Sequence, residues 1–278
     1  MLAVISDIHG NLEALTAVLE DLERFPVDRI LCLGDIVGYG PDPEACIDIV
    51  MEKTATALMG NHDYALLHGP AGFNPVAADV IYLTRERMEP RENVDGMNTM
   101  PPYPCAPDGT MPECLVPPHS KSARWRFIDD LPERIEKNDL LFVHASPLEP
   151  ITEYVFPDAF MTVWNPDRIS ELMSSVKRLC FCGHTHIPCA IASDLECVYP
   201  SECDYRWSLN PAKKYIINAG SVGQPRDRDN RACYLLFDEK EQTVHWRRVE
   251  YNIVAVVEKS ETMCGKDNWC AVRLLTGR

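Results

Sequence analysis

The sequence predicts an α/β domain on three observations. Short apolar runs alternate with stretches of helical period early in the chain, later apolar runs crowd too closely for helices between them, and five runs end in side chains that bind metals. Leu2 to Ser6 is the first run, and Asn11 stands as a helix cap ahead of Leu12, Leu15, Val18, Leu19 and Leu22 at helical spacing. Ile30 to Leu33 repeats the pattern, with Asp42 and Pro43 opening a second amphipathic stretch through Cys46, Ile49 and Val50. Thr56 to Met59, Leu140 to Val143 and Leu179 to Cys182 are further runs of strand length. Cys189 to Ala192, Tyr215 to Ile217, Cys233 to Phe237 and Val244 to Tyr251 follow at close spacing and read as antiparallel strands.

Residues 1–278 read as one domain. Pro90 to Pro118 holds 8 of the 22 prolines, which excludes regular helix and marks an extended insertion at about residues 90–122. Arg124 and Arg126 flank Trp125 in a pattern that fits an exposed helix with the indole buried, rather than a base-stacking site.

Composition narrows the function classes. A hydrophobic content of 46% over 278 residues can bury a substantial core, while the net charge of −15 opposes polyanions and argues against a nucleic-acid partner, a nuclease track included. No run approaches the roughly 18 apolar residues of a membrane span, and the apolar start lacks the basic flank of a signal peptide, so a cytoplasmic location is expected. The 12 cysteines form no Cys-x-x-Cys pair and read as free thiols. Cys180 and Cys182 alternate within one run and should pack on one strand face, and Cys105 with Cys114 is the pair to check for zinc–thiolate binding.

The chemistry gathers at the ends of the runs. Asp7 and His9, Asp35, Asn61 and His62, His144, and His184 with His186 each follow an apolar run. In an open α/β sheet the loops leaving the strand ends converge on one edge, so these distant residues can meet. Each pair alone is weak, since a strand-end histidine is commonly a satisfied structural residue. Jointly they offer two carboxylates, an amide oxygen and several imidazoles, with Gly10, Gly34, Gly60 and Gly183 allowing tight approach. Asn218, Ser221, Gln224 and Arg226 follow a further run and read either as substrate contacts or, equally, as turn-stabilising and salt-bridging residues.

With the segments DIHGN at Asp7 to Asn11, GD at Gly34 and Asp35, GNHD at Gly60 to Asp63, the lone His144, and GHTH at Gly183 to His186, the chain resembles the calcineurin-like metallophosphoesterase superfamily. The resemblance spans roughly residues 1–68, 139–150 and 178–237 and is nearest to the small prokaryotic phosphodiesterase branch. It implies a four-layer αββα sandwich of two mixed sheets flanked by helices. It also implies two divalent or trivalent ions: Asp7, His9 and His186 on one, Asn61, His144 and His184 on the other, and Asp35 bridging both. The mixed nitrogen and oxygen donors suit Mn first, with Fe, Zn or Ni as options. His62 resembles the general acid of the family.

The activity implied is hydrolysis of a small phosphorylated substrate, a phosphodiester first, by attack of a hydroxide shared between the ions. A phosphomonoesterase, a protein phosphatase or a dinucleoside-polyphosphate hydrolase would use the same centre, and a non-catalytic scaffold could use the same fold. Two features separate these readings: no ligand position is missing, against the scaffold, and Gly38 stands where protein phosphatases carry a second aspartate. Assembly into a homo-oligomer is left open.

Overall fold

The computed structural model describes residues 1–88, 122–156, 166–266 and 268–278. The proline-rich stretch, with Cys105 and Cys114, lies outside the described residues.

The first sheet has the order β3-β2-β1-β11-β12-β9, built from Leu2–Ile5 (β1), Arg29–Cys32 (β2), Thr56–Ala57 (β3), Arg206–Ser208 (β9), Ala232–Asp238 (β11) and Thr243–Val249 (β12). β1, β2 and β3 run parallel, and β11 joins β1 antiparallel with Ala3 opposite Leu236. The second sheet has the order β4-β5-β6-β10-β7-β8, built from Arg134–Lys137 (β4), Leu140–Val143 (β5), Leu179–Cys182 (β6), Cys189–Ala192 (β7), Cys197–Val198 (β8) and Tyr215–Asn218 (β10). There β5, β6 and β10 are parallel and the outer strands antiparallel. Both sheets are therefore mixed, as the resemblance implies.

Alternation along each strand divides the core into layers, because successive side chains leave opposite faces. Val4, Leu31, Leu235, Phe237 and Trp246 of the first sheet meet Phe142, Phe181, Ala190 and Ile217 of the second. On the outer face of the first sheet, Ala3, Ile5, Cys32 and Leu236 pack against Leu12–Leu22 (α1), Pro43–Lys53 (α2) and Ala123–Asp129 (α5). On the outer face of the second, Leu141, Cys180, Cys182 and Ile216 pack against Ile169, Leu172 and Met173 of Pro166–Ser175 (α6). The result is helix on sheet on sheet on helix. Each fully buried Leu, Val or Phe in these layers contributes about 1.5–3 kcal/mol.

Local signals behave as read. The Asn11 carboxamide accepts from the Ala14 N–H at 3.0 Å, Pro43 opens α2, and Trp125 is buried in α5 while Arg124 pairs with Asp48. The ten cysteines among the described residues are all free thiols. Unanticipated elements are the strands β4, β8 and β9, the helices Asn61–His68 (α3), Pro75–Met88 (α4) and α6, and the C-terminal pair Ile253–Cys264 (α7) and Trp269–Thr276 (α8). Among the described residues no helix is long and apolar enough to cross a membrane.

Candidate metal centre

The loops leaving β1, β2, β5 and β6 meet at one end of the sandwich and are laced together by backbone hydrogen bonds. Asp7 N–H donates to the Gly34 carbonyl at 3.0 Å, His9 N–H to Asp35 at 2.9 Å, and Gly183 N–H to His144 at 2.9 Å, the last tying β5 to β6. Gly223 N–H reaches the Asp7 carbonyl at 2.9 Å and ties in the segment after β10. The approach is close enough to require glycine: a Cβ on Gly60 would fall 2.2 Å from Asp35 Oδ1, and one on Gly183 would fall 2.4 Å from Asp7 Oδ2.

Five of the candidate ligands sit in left-handed backbone: Asp7 (φ 54°), His9 (49°), Asp35 (52°), His184 (64°) and His186 (61°). For residues with a Cβ this costs roughly 1–2 kcal/mol each, a cost that persists only where the surroundings impose it. Such residues concentrate where a fold must aim side chains at one point.

The imidazoles are oriented from outside. Nδ1 of His9 faces the Val37 carbonyl at 3.1 Å, Nδ1 of His144 faces Leu33 at 3.1 Å, Nδ1 of His186 faces Gln224 at 2.5 Å, and Nε2 of His184 faces Thr152 at 3.2 Å. A carbonyl accepts only, so each of these nitrogens carries the ring proton and the other ring nitrogen presents a lone pair inward. The inward atoms converge: His9 Nε2 lies 3.1 Å from His186 Nε2, and His144 Nε2 lies 3.1 Å from both His184 Nδ1 and Asn61 Oδ1. Asp7 Oδ1 stands 3.2 Å from His186 Nε2, and Asp35 Oδ2 stands 3.4 Å from His144 Nε2 and 3.6 Å from His9 Nε2. Acceptors crowded on acceptors need positive charge among them, the more so as the two carboxylates and four imidazoles are at most 4% exposed. Asp7, His9 and His186 form one group of metal-ligating geometry and Asp35, His144 and His184 another, with Asp35 placed between the two histidine pairs.

Without a cation, protons supply the charge. Burial works against both carboxylates, yet His186 and His144 hold Asp7 well below the usual range, and His144 and His62 do the same for Asp35. Burial likewise lowers His144, but Asp35 overrides it and raises that ring to about 9. Burial prevails at His9, at His184, pushed down to about 3, and at His186.

Asp63 and His62 complete the frame. Asp63 is fully buried and accepts from the N–H groups of Ile36 (3.0 Å), Val37 (3.2 Å) and Gly60 (3.1 Å), which fixes the loops that carry Asp35 and Asn61. Burial, aided by Asp35, pushes its carboxyl up to about 7. His62 donates its backbone N–H to Asp35 Oδ1 at 2.8 Å, and its ring packs between His9, Tyr39 and Phe73 with centroids 4.5–4.8 Å away. Its Nδ1 is buried with no partner, and a Cβ on Gly38 would lie 2.2 Å from that atom. Burial lowers the His62 ring to about 4.

A cleft of ≈ 300 Å³ opens over Asp35, Asn61, His62, His184 and His186, walled by Tyr39, Phe73 and Tyr154, with Arg226 at its edge. Tyr154 stacks on His184 at 3.9 Å. Asn218 and Ser221 depart from the substrate-contact reading. Asn218 is buried and spends its amide on the Gly183 carbonyl (2.6 Å) and Thr185 Oγ1 (3.0 Å), and its oxygen on Gly220 N–H (2.8 Å). Ser221 is buried between the Asp7 carbonyl and Gln224 N–H. Both stabilise the loops rather than face the cleft, because no polar atom on either is left over. The walls Tyr39, Phe73 and Tyr154 and the clamp Asp63 have no motif of their own, although Tyr39 and Asp63 lie within or beside the segments that do.

A two-sheet sandwich that gathers buried carboxylates and inward-aimed imidazoles at one end defines a metal-dependent hydrolase. The family model for calcineurin-like phosphoesterases matches residues 1–188, and the chain belongs to that family. It is 36% identical to Uncharacterized protein MJ0912 of Methanocaldococcus jannaschii, covering 100% of this chain and 98% of that one. A metallophosphoesterase from Sphaerobacter thermophilus superposes with a TM-score of 0.75 at 32% identity, covering 100% and 98% of the two chains. Hypothetical protein PH1004 from Pyrococcus horikoshii shares the fold, with a TM-score of 0.68 at 18% identity and the same coverage. The chain is a hydrolase of a family that works with a pair of metal ions on phosphorylated substrates.

Proposed function

We propose that the chain is a dinuclear phosphodiesterase acting on small substrates. Asp7, His9 and His186 would hold one ion, Asn61, His144 and His184 the other, and Asp35 both, with manganese fitting the nitrogen and oxygen donors. The observation that carries the reading is the inward convergence of four imidazole lone pairs on two carboxylates, with every outer nitrogen already committed to a carbonyl. When bound, the ion pair supplies the positive charge that acidifies water and neutralises phosphoryl oxygens.

The protein's own groups do the rest. Arg226 lies at the cleft edge, its guanidinium 5.7 Å from the Tyr39 ring centroid, and its planar fork suits a phosphoryl oxygen. His62 lines the same cleft and stands as hydrogen-bond donor to the leaving oxygen. Tyr39, Phe73 and Tyr154 give an apolar berth to a second ester arm, which favours a diester over a monoester. A protein substrate is disfavoured by the modest cleft and by Gly38, which offers no carboxylate to the unpartnered Nδ1 of His62.

Manganese-reconstituted protein screened against phosphomonoesters, phosphodiesters, cyclic nucleotides and dinucleoside polyphosphates tests the reading. Turnover of diesters is expected, together with joint loss of metal and activity in Asp35→Asn. No turnover with both ions bound would favour a scaffold, and full two-ion occupancy in Asp35→Asn would refute the bridging role.

A further inference from the structure

The arginine that lines the cleft is held by a neutral partner. Arg87, Arg124, Arg168, Arg231 and Arg247 each rest against a carboxylate, as expected where 42 acidic residues face 27 basic ones. Arg226 makes no such pair among the described residues; its Nη2 donates instead to Oε1 of Gln224 at 3.0 Å. A guanidinium only donates, so the amide must turn its oxygen towards it. The other side of the grip is the Tyr39 ring, 5.7 Å from the guanidinium carbon.

Both partners are themselves fixed by the groups around the ion ligands. Gln224 is 1% exposed; its backbone N–H donates to Ser221 Oγ at 2.8 Å, and its carbonyl faces Nδ1 of His186 at 2.5 Å. Tyr39 sits in left-handed backbone (φ 54°), an outlier for an aromatic residue, with its ring 4.5 Å from His62 and 4.7 Å from His9. Gln224 thus serves two ends with separate atoms, its main chain orienting the ligand His186 and its side chain holding Arg226. A carboxylate at the same place would hold the guanidinium more strongly but would also cancel its charge. The amide fixes one N–H and leaves the positive charge available at the cleft.

We propose that Gln224 is the positioning residue for the substrate-binding fork: its side-chain amide, with Tyr39 on the other side, aims Arg226 at a phosphoryl oxygen in the cleft without neutralising it. This rests on the phosphoesterase reading and on Arg226 as its oxyanion contact.

The test compares manganese-loaded full-length protein with Gln224→Met, Gln224→Glu, Arg226→Met and the double variant Gln224→Met with Arg226→Met. Metal analysis and thermal melting accompany steady-state kinetics on a diester and calorimetric titration with inorganic phosphate. Arg226→Met is expected to lower kcat/KM by about 10–100-fold, and Gln224→Met by about fivefold to tenfold, mainly through KM, with manganese content unchanged because the main-chain carbonyl still orients His186. In the Arg226→Met background the Gln224 substitution should add less than about twofold, a coupling that a merely structural residue would not show. Gln224→Glu keeps the shape of the side chain and carries the test if Gln224→Met does not fold; it should weaken phosphate binding about as far as Arg226→Met does, although the arginine is present. Additive losses in the double variant, loss of manganese in Gln224→Met, or phosphate binding at the wild-type level in Gln224→Glu each overturn the proposal. If no ester is turned over, the phosphoesterase reading fails instead, and the phosphate titration still decides the positioning role: binding that depends on Arg226 and, through it, on Gln224 supports it, and binding indifferent to both, or none, overturns it.

Discussion

Removing the Asp63 carboxylate should unfasten two ligand loops at once. Its oxygens accept three N–H groups, from Ile36, Val37 and Gly60, at 3.0–3.2 Å in a fully buried setting. Asp63→Ala leaves all three without a partner. At about 1–3 kcal/mol per orphaned donor the gross loss is roughly 3–9 kcal/mol, reduced because a carboxylate buried beside Asp35 is itself costly, so a net loss of about 2–5 kcal/mol is expected. Asp63→Asn should cost less: its oxygen can keep Ile36 and Val37, while its amide opposes the Gly60 N–H, for about 1–3 kcal/mol. Urea unfolding followed by circular dichroism gives both values at constant m, and metal analysis after dialysis reports whether the loops still hold ions. A loss under about 1 kcal/mol in Asp63→Ala, with metal retained, would refute the clamp.

Three further outcomes follow from the geometry. His62→Ala should slow alkoxide leaving groups by about 10²–10⁴ and nitrophenolate far less, and equal factors for both would remove the donor role. Gly183→Ala would set a methyl 2.0 Å from Ser6 Oγ and 2.4 Å from Asp7 Oδ2, so a destabilisation of about 1–3 kcal/mol with weakened metal retention is expected; unchanged melting and metal content would contradict the packing. At Asp21, burial is outweighed by hydrogen bonds from Arg247 (3.0 Å) and Tyr234 (2.8 Å), which hold its carboxyl below the ordinary range. A depressed pKa stabilises the fold above the unfolded value near 3.9 and is lost as pH falls through the folded one, so Asp21→Asn should cost about 1.5–3 kcal/mol at pH 7 and flatten the stability curve below pH 4. A curve that keeps its slope in the variant would exclude this pair as its source.

The parts of the site that the chain announces are those with local chemistry. Asp7 and His144 follow an apolar run directly, and Asp35, Asn61 and His184 follow one after a single glycine. Asn218 and Ser221 were ambiguous because a polar residue after a strand has the same local signature whether it faces a ligand or binds its own loop. Only the fold shows their atoms spent on Gly183, Thr185 and Asp7. The strands at 197–198 and 206–208 are too short for any periodicity. The helices after Tyr251 escape for another reason: Trp269 carries no recognisable spacing, and only its tertiary position, 5.8 Å from the Tyr39 ring, relates it to the site.

The five left-handed bends that aim Asp7, His9, Asp35, His184 and His186 have a consequence for how the protein acquires its ions. Their strain is sustained by sheet packing and by the network of main-chain ties, so the pocket's shape belongs to the polypeptide and not to its cargo. The expected consequence is that protein refolded with a chelator present keeps these bends and takes up ions only afterwards, an order that metal titration of the refolded protein checks.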